Sequence, residues 1–163
     1  MRFTHAALLP GKPESERAAQ AALLLAILLI IMAVGQLYEF EKFIPLIESF
    51  ETSVGHGGAT LLAGVIVTSE VFALPFLLRM QTSPLMRVTS MLLGWLVVAI
   101  WIALTLWLSV AANSVTNIGL FGTKVDIPAS WWAVCYSIAL GVLATWAAWG
   151  MWPFRTAKHK TVK

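Results

Sequence analysis

Four long stretches of the chain contain no charged residue. They cover residues 18–38, 52–69, 88–123 and 127–154, which is 21, 18, 36 and 28 residues. Because a helix needs about 20 apolar residues to cross the hydrocarbon core of a bilayer, each stretch can hold most or all of a transmembrane helix. Strands that span a membrane would instead show about 10 residues of alternating polarity. The pattern therefore predicts an all-α, polytopic bundle of four transmembrane helices. We place these helices at about 18–38, 58–79, 86–111 and 130–152.

A different pattern follows the first predicted helix, between Gln36 and Phe50. Apolar residues recur there at helical spacing, while three glutamates and a lysine take other positions. This pattern is typical of an amphipathic segment, and Pro45 is expected to break or kink it. We interpret it as a segment that lies along the outer membrane surface or caps the bundle. The alternative is a simple connection to the second helix.

The composition agrees with a membrane protein, and its charges indicate an orientation. Of the 163 residues, 59% are apolar and 12% are charged, whereas soluble domains carry about 25% charge. Lysine and arginine lie at the ends of the apolar segments, and the positive-inside rule places the richer side in the cytoplasm. Nine of them lie on that side: Arg2, Lys12, Arg17, Arg79, Arg87, Arg155, Lys158, Lys160 and Lys163. Lys42 and Lys124 lie on the other side.

This distribution predicts a multi-pass protein of the inner or plasma membrane with both termini in the cytoplasm. The corresponding division is an N-terminal tail of residues 1–17, a membrane domain of residues 18–152 and a basic C-terminal tail of residues 153–163. The chain shows no basic stripe with interleaved aromatic residues. The net charge of +3 is therefore interpreted as a topology signal, and nucleic acid is not expected as a partner.

Glu70 is the one acidic residue inside the predicted helices. It lies about nine residues, or ~13 Å, from the cytoplasmic end of the second helix. Because a charged carboxylate is costly inside a bilayer, we expect Glu70 to face the bundle interior as a neutral acid. Its partners must then be neutral donors, and the residues at matching depth are Trp95, Thr145 and Trp146. Two interpretations stay open: a functional acid next to a kink at Pro75, or a structural hydrogen-bonding group between helices.

Small residues spaced four apart mark the expected packing faces, because they let helix backbones approach closely. They are Thr60, Gly64 and Thr68 in the second helix, Ser90 and Gly94 in the third, and Ser137, Gly141 and Thr145 in the fourth. We expect these residues to make contacts within the bundle. A homo-oligomer interface is the secondary interpretation.

The histidines and the single cysteine narrow the possible chemistry. His5, His56 and His159 all lie outside the predicted helices, which argues against a haem held by two axial histidines. His56 could meet Glu51 or Asp126, but one histidine with acids of unknown position favours a solvated loop residue, so no metal site is predicted. Cys135 is expected to be a small buried apolar residue, and a lone cysteine excludes an internal disulfide or a CxxC pair.

Three features in the first part of the chain resemble those of a known membrane protein family. The first helix reaches Gly35 and runs into an amphipathic loop with Phe43 and Phe50. The second helix carries a mid-membrane acid, Glu70, in the sequence Ser69-Glu70-Val71. The third helix follows a short basic turn.

The last outer loop carries a fourth such feature. Residues Asn117 to Gly122 resemble a Cys-Gly-Cys-Phe-Gly element, and Ser130-Trp131-Trp132 after them is similar too. Taken together, residues 20–152 resemble the DoxX-like superfamily and, within it, the MauE (methylamine utilisation) type. Ile118 and Leu120 stand where that pattern has its two cysteines. The resemblance therefore implies the four-helix fold, the membrane location and the acid at position 70, but no thiol–disulfide role.

Three functional hypotheses follow. The favoured one is a non-catalytic subunit or an assembly or accessory factor of a membrane complex, which binds a membrane or extracytoplasmic protein. Its interaction candidates in the outer loops are His56, Asn117 and Phe121. The second is a quinone- or redox-linked oxidoreductase subunit in which Glu70 handles a proton, with quinone as the one cofactor considered. The third is a small oligomeric transporter. The chain carries none of the common nucleotide-binding or hydrolase motifs, so no catalytic residue is predicted and a non-enzymatic role is favoured.

Overall fold

A computed structural model describes residues 13–50, 55–111 and 115–152. These residues form five helices and no strand: α1 Glu16–Tyr38, α2 Phe40–Glu48, α3 Gly55–Leu77, α4 Pro84–Ala111 and α5 Trp131–Gly150. Four of the five are long and apolar enough to cross a membrane, namely α1, α3, α5 and the part Pro84–Val110 of α4. The prediction of an all-α bundle of four transmembrane helices is therefore confirmed.

The four long helices form a closed ring. α1 packs against α3, α3 against α4, α4 against α5, and α5 against α1. We call the end of the bundle that carries the α1–α2 junction and residues 115–130 the loop end. The turn end is the opposite end, which carries the α3–α4 connection at residues 78–83. Because neighbouring helices in the ring are antiparallel, their side chains lean in opposite directions along the bundle axis.

Large apolar side chains cover the outside of the ring as well as its core. On α1, the large apolar side chains with exposed fractions between 38% and 61% are Leu23, Leu24, Ile27, Ile30, Ile31, Val34 and Leu37. A helix in water would place polar residues on this face. The outer surface is thus suited to contact with lipid, and the protein is an integral membrane protein.

The amphipathic segment predicted after the first helix forms α2. Its apolar side chains Phe43 and Ile47 are fully buried, and the helix packs mainly against α3. Pro45 lies inside the helix, which continues through it and ends three residues later at Glu48. The segment is therefore a helix whose apolar face is buried against the bundle.

Contacts between α3 and α4 include a polar insertion next to Pro75. Proline cannot donate a backbone hydrogen bond, which weakens a helix locally. The hydroxyl of Ser90 on α4 accepts a hydrogen bond from the backbone N–H of Phe76 at 3.0 Å and donates one to the carbonyl of Phe72. One turn further along α4, an added Cβ at Gly94 would be 3.4 Å from the Cβ of Ala73. The predicted stripe of small residues on α4, Ser90 and Gly94, therefore packs within the bundle.

The stripe on α3 does not pack as predicted. Thr60 and Thr68 are exposed, and a Cβ added at Gly64 would meet nothing within 4 Å. The buried face of α3 is formed by other residues: Ala59, Ala63, Ile66, Val67, Ser69, Glu70, Ala73, Phe76 and Leu77. Because alanine also lets helices approach closely, small residues alone did not identify the buried face.

Two predictions for α5 need correction. In its stripe, Ser137 is buried and Gly141 faces Ile102, but Thr145 is exposed. Cys135, which we expected to be buried, lies on the exposed face of the helix. Both errors have the same cause: a helix that is apolar on all sides gives no sequence signal for the side that faces lipid.

Candidate functional site

Glu70 is the centre of a buried polar network that joins three helices and a loop. Its Oε1 accepts a hydrogen bond from Trp101 Nε1 of α4 at 3.1 Å and one from Gln36 Nε2 of α1 at 3.3 Å. Gln36 Nε2 also donates to the backbone carbonyl of Leu120 at 3.1 Å. The side chains of Gln36, Glu70 and Trp101 are fully buried. The network therefore connects the loop end to the middle of the bundle.

The partners predicted for Glu70 are wrong. Trp95 and Trp146 are 46% and 47% exposed, and the hydroxyl of Thr145 donates to the carbonyl of Gly141 in its own helix. Matching residues by depth along the helices ignored the direction of their side chains, which lean toward the N-terminus of each helix. Glu70 on α3 therefore leans toward the loop end and Trp101 on α4 toward the turn end, so that they meet across an axial offset.

Gln36, like Trp101, is a partner of Glu70 that the sequence did not predict. We assigned it to the start of the amphipathic segment, but it lies in the last turn of α1. On that helix it follows Leu29, Met32 and Ala33, which are all buried, at the spacing of one continuous helix face. A buried amide on the core face of a membrane helix requires a polar partner. This position was the available signal.

The segment from Val115 to Ala129 folds back on itself and enters the loop end of the bundle. The backbone N–H of Ile118 donates to the carbonyl of Ile127 at 2.9 Å, and the N–H of Ala129 donates to the carbonyl of Val115 at 3.0 Å. Between them, the side chains of Ile118 and Leu120 are 0% and 1% exposed. This part of the loop therefore belongs to the core.

Asn117 folds this loop rather than presenting a side chain to a partner. Its Oδ1 accepts from the N–H of Gly119 at 2.8 Å. Its Nδ2 donates to the carbonyl of Gly122 at 3.3 Å and to Asp126 Oδ1 at 3.2 Å. The residue is only 6% exposed, so its side chain is not available as a surface contact.

Phe121 and two glycines bring the loop backbone against α1. Gly122 has a φ of +79°, and an added Cβ there would overlap the carbonyl group of Gly35. A Cβ on Gly35 would in turn overlap the carbonyl oxygen of Phe121. The Phe121 ring packs against Tyr136 of α5 with 5.7 Å between ring centroids. The loop and the end of α1 therefore meet through their backbones.

Charged groups hold the same loop from the outside. Glu39, between α1 and α2, accepts a hydrogen bond from the hydroxyl of Thr123. Its Oε1 lies 2.9 Å from Lys42 Nζ and 3.1 Å from Lys124 Nζ. These contacts, with the Thr123 hydroxyl first and the two ammonium groups next, lower the pKa of Glu39 to about 2. Thr123 and Lys124 belong to the loop, so the ionised carboxylate favours its attachment.

We expect this attachment to weaken in acid. A carboxyl whose pKa is lower in the folded protein stabilises the fold fully above its unfolded pKa, and that contribution is lost as the pH falls. For Glu39 the loss should extend from about pH 4.5 down to about pH 2. The measurement is thermal unfolding in detergent across this range for the wild type and for Glu39→Gln. The variant should show a smaller pH dependence, and equal dependences would contradict the assignment.

His56 lies at the loop end, but with a different partner from those considered. Its Nδ1 lies 2.9 Å from Glu48 Oε2, and its side chain is 72% exposed. Asp126 is hydrogen-bonded to Asn117 instead, and Glu51 lies outside the described residues. Across residues 13–50, 55–111 and 115–152, no three His, Cys, Asp or Glu side chains are grouped so that they could hold a metal ion.

The tryptophans expected near Glu70 line a separate cleft between α4 and α5. The cleft has a volume of about 650 Å³. Small residues, including Ala99, Gly141 and Ala144, line it together with Trp95, Trp146 and Trp149. Gln36, Glu70 and Trp101 are not among the lining residues. The polar network and the aromatic cleft are thus two distinct features.

Comparisons with known proteins add no relative to this picture. No family model, curated protein or solved structure matches the chain. The functional argument therefore depends on the geometry of the network, the loop and the cleft.

Proposed function

We propose that the protein is a non-catalytic subunit or accessory factor of a membrane complex, of the DoxX/MauE-like type, in the inner or plasma membrane with both termini cytoplasmic. The observation that carries this proposal is the bond from Gln36 to Leu120, made by the same amide that binds Glu70. The buried acid thereby helps to fix the shape of the extracytoplasmic end. A fixed surface binds a partner with a smaller loss of conformational entropy than a mobile loop does.

The side chains around this end have the chemistry of a protein contact. Tyr38 at the end of α1 is 76% exposed, and Trp131 and Trp132 at the start of the neighbouring α5 are 66% and 85% exposed. Val125 in the loop is 48% exposed. Exposed aromatic residues are enriched at the centres of protein interfaces. They also occur at the headgroup level of membranes, so the experiment must separate protein from lipid contact.

A photoreactive amino acid placed at Val125 makes this distinction in native membranes. We expect it to form one discrete adduct with a protein that has an extracytoplasmic part. Met80, which is 49% exposed in the turn at the opposite end, is the matched control and should not form that adduct. Adducts with lipid alone at Val125, or the same protein adduct from both positions, would contradict the proposal.

The cleft between α4 and α5 supports a second candidate, a quinone-linked subunit. Its volume of about 650 Å³ lies within the usual range for ligand sites of about 300–1,000 Å³, and its three indoles could contact a planar ring. Glu70 does not line this cleft, so here it would not be the group that gives a proton to the ring. This candidate therefore differs from the redox hypothesis drawn from the sequence.

Two exposed alanines on α4 allow a matched test of the cleft. Ala99 lines it, and Ala103, one turn away, does not. If the cleft binds a quinone, the wild type and Ala103→Leu should retain it through purification in mild detergent. Ala99→Leu should lose it because the added side chain occupies the site. Absorption and mass spectrometry of lipid extracts measure the bound quinone, and its absence from the wild type would exclude this candidate.

A further inference from the structure

In the buried network, the carboxyl group of Glu70 and the amide of Gln36 each have one oxygen atom without a hydrogen-bond partner. Glu70 Oε1 accepts from both Trp101 and Gln36, whereas Glu70 Oε2 is buried and has no hydrogen-bond partner. Gln36 Oε1 is likewise buried and has no partner. The two side chains are already joined through their other polar atoms. Buried polar groups in folded proteins are nearly always paired, so both atoms require an explanation.

The orientation of the Gln36 amide is determined by the loop. The carbonyl oxygen of Leu120 can only accept a hydrogen bond, so the atom of Gln36 that faces it must be Nε2. Gln36 Oε1 is therefore an acceptor that lacks a donor. Trp101 has a single N–H, which already points at Glu70 Oε1. The remaining atom in the network that can become a donor is Glu70 Oε2, and it does so when it carries a proton.

We propose that Glu70 carries a proton on Oε2 and that this O–H donates a hydrogen bond to Gln36 Oε1, which closes a cyclic acid–amide pair. In this pair one N–H of Gln36 donates to Glu70 Oε1, the other donates to Leu120, and the acid O–H completes the ring. One proton thus satisfies both unpartnered atoms. The proposal does not depend on the proposed function, because it concerns the state of the network rather than the partner of the loop end.

The same pair links the proton to the loop. If Glu70 were ionised, Oε2 and Gln36 Oε1 would be two acceptors side by side, which favours rotation of the amide away from Leu120. The titratable side chains on α5 are Cys135, which is exposed, and Tyr136, whose hydroxyl lies 3.9 Å from Met32 Sδ. The charged groups on the other elements packed around the network lie toward the helix ends or in the loop: Glu16 and Arg17 on α1, Glu41, Lys42 and Glu48 on α2, Arg87 on α4, Glu39 at the α1–α2 junction, and Lys124 and Asp126.

Infrared spectroscopy of the full-length protein in lipid nanodiscs tests the proposal. At neutral pH, where solvated carboxyl groups are ionised, the wild type should show a carboxylic acid C=O band that shifts in D₂O. Glu70→Gln should lose this band. Glu48→Gln, which changes an exposed acid, and Glu39→Gln, which changes an acid whose contacts lower its pKa to about 2, should keep it. A wild type without the band would overturn the proposal. A carboxylate band that responds to sodium concentration would assign the two oxygens to a cation instead.

A second variant keeps the test decisive if Glu70→Gln does not fold. Gln36→Leu removes the acceptor of the acid O–H but leaves Glu70 in place. The C=O band should then shift to higher frequency because the O–H has lost its partner. A band at the wild-type frequency in Gln36→Leu would show that the proton does not point at Gln36 and would overturn the acid–amide pair.

Discussion

Replacing Gly122 with Ala is expected to release the loop from the end of α1 and to lower the free energy of unfolding by about 2–5 kcal/mol. A non-glycine residue at a positive φ costs about 1–2 kcal/mol, and Gly122 has a φ of +79°. Forcing a methyl group into a filled site costs about 1–3 kcal/mol more, and here the obstacle is the backbone of Gly35 rather than a movable side chain. Thermal unfolding in detergent, with limited proteolysis of the loop, measures the effect.

Gly64→Ala is the matched control for this prediction. Gly64 lies within α3, and a Cβ added there meets nothing within 4 Å. Because alanine favours a helix interior over glycine, the change should leave stability equal or raise it by about 0.5–1 kcal/mol. If both variants unfold at the same temperature as the wild type, the close approach of Gly35 and Gly122 does not stabilise the protein.

Replacing Trp101 with Ala is expected to cost about 3–5 kcal/mol, as is usual for deletion of a large buried aromatic side chain. Trp101 is fully buried and donates to Glu70. Trp101→Phe retains most of the packing and removes the N–H, so its cost should be nearer to about 1 kcal/mol. The difference between the two variants separates packing from hydrogen bonding. Equilibrium unfolding in mixed micelles provides both values.

Trp107 provides the control on the same helix. Its side chain is 55% exposed, so Trp107→Ala should change the unfolding free energy by less than about 0.5 kcal/mol. If Trp101→Ala and Trp107→Ala lower the free energy of unfolding by similar amounts, the burial of Trp101 in the network does not stabilise the protein more than an exposed tryptophan does.

The long helices could be predicted from the sequence because the bilayer imposes a minimum length on every apolar segment. The third predicted helix, at about 86–111, starts two residues after the observed start of α4 at Pro84. The amphipathic α2 was also visible, since water and core impose different chemistry on its two faces. In both cases the surroundings restrict the residue types: the bilayer core restricts the long helices, and water restricts one face of α2.

The site was less predictable because contacts between different helices bring its residues together. The pattern of apolar positions along a single helix does not encode such contacts. The acid at position 70 was evident from its charge alone. Trp101 was not predicted as a partner of Glu70 because the two residues lie at different depths on antiparallel helices and meet only through the direction of their side chains. Nothing in the sequence indicates that Ile118 and Leu120 are buried, since a short apolar stretch has the same sequence whether it touches lipid or fills a core. Cys135 and Gly64 were misplaced for the same reason, because lipid and protein interior select the same residues.

The bond between Gln36 and Leu120 also has a consequence for the order in which the protein assembles. These residues are 84 positions apart in the sequence, and Thr123 and Glu39 are separated by the same number of positions. During synthesis, α1, α3 and α4 all precede the loop, so Glu70 can meet Gln36 and Trp101 before Leu120 has been made. Contacts between distant residues form late because the intervening chain must first be arranged. The surface of α1 and α3 to which the loop is linked is thus complete in sequence before the loop itself is made, whereas α5, which packs against α1 and α4, still has to follow.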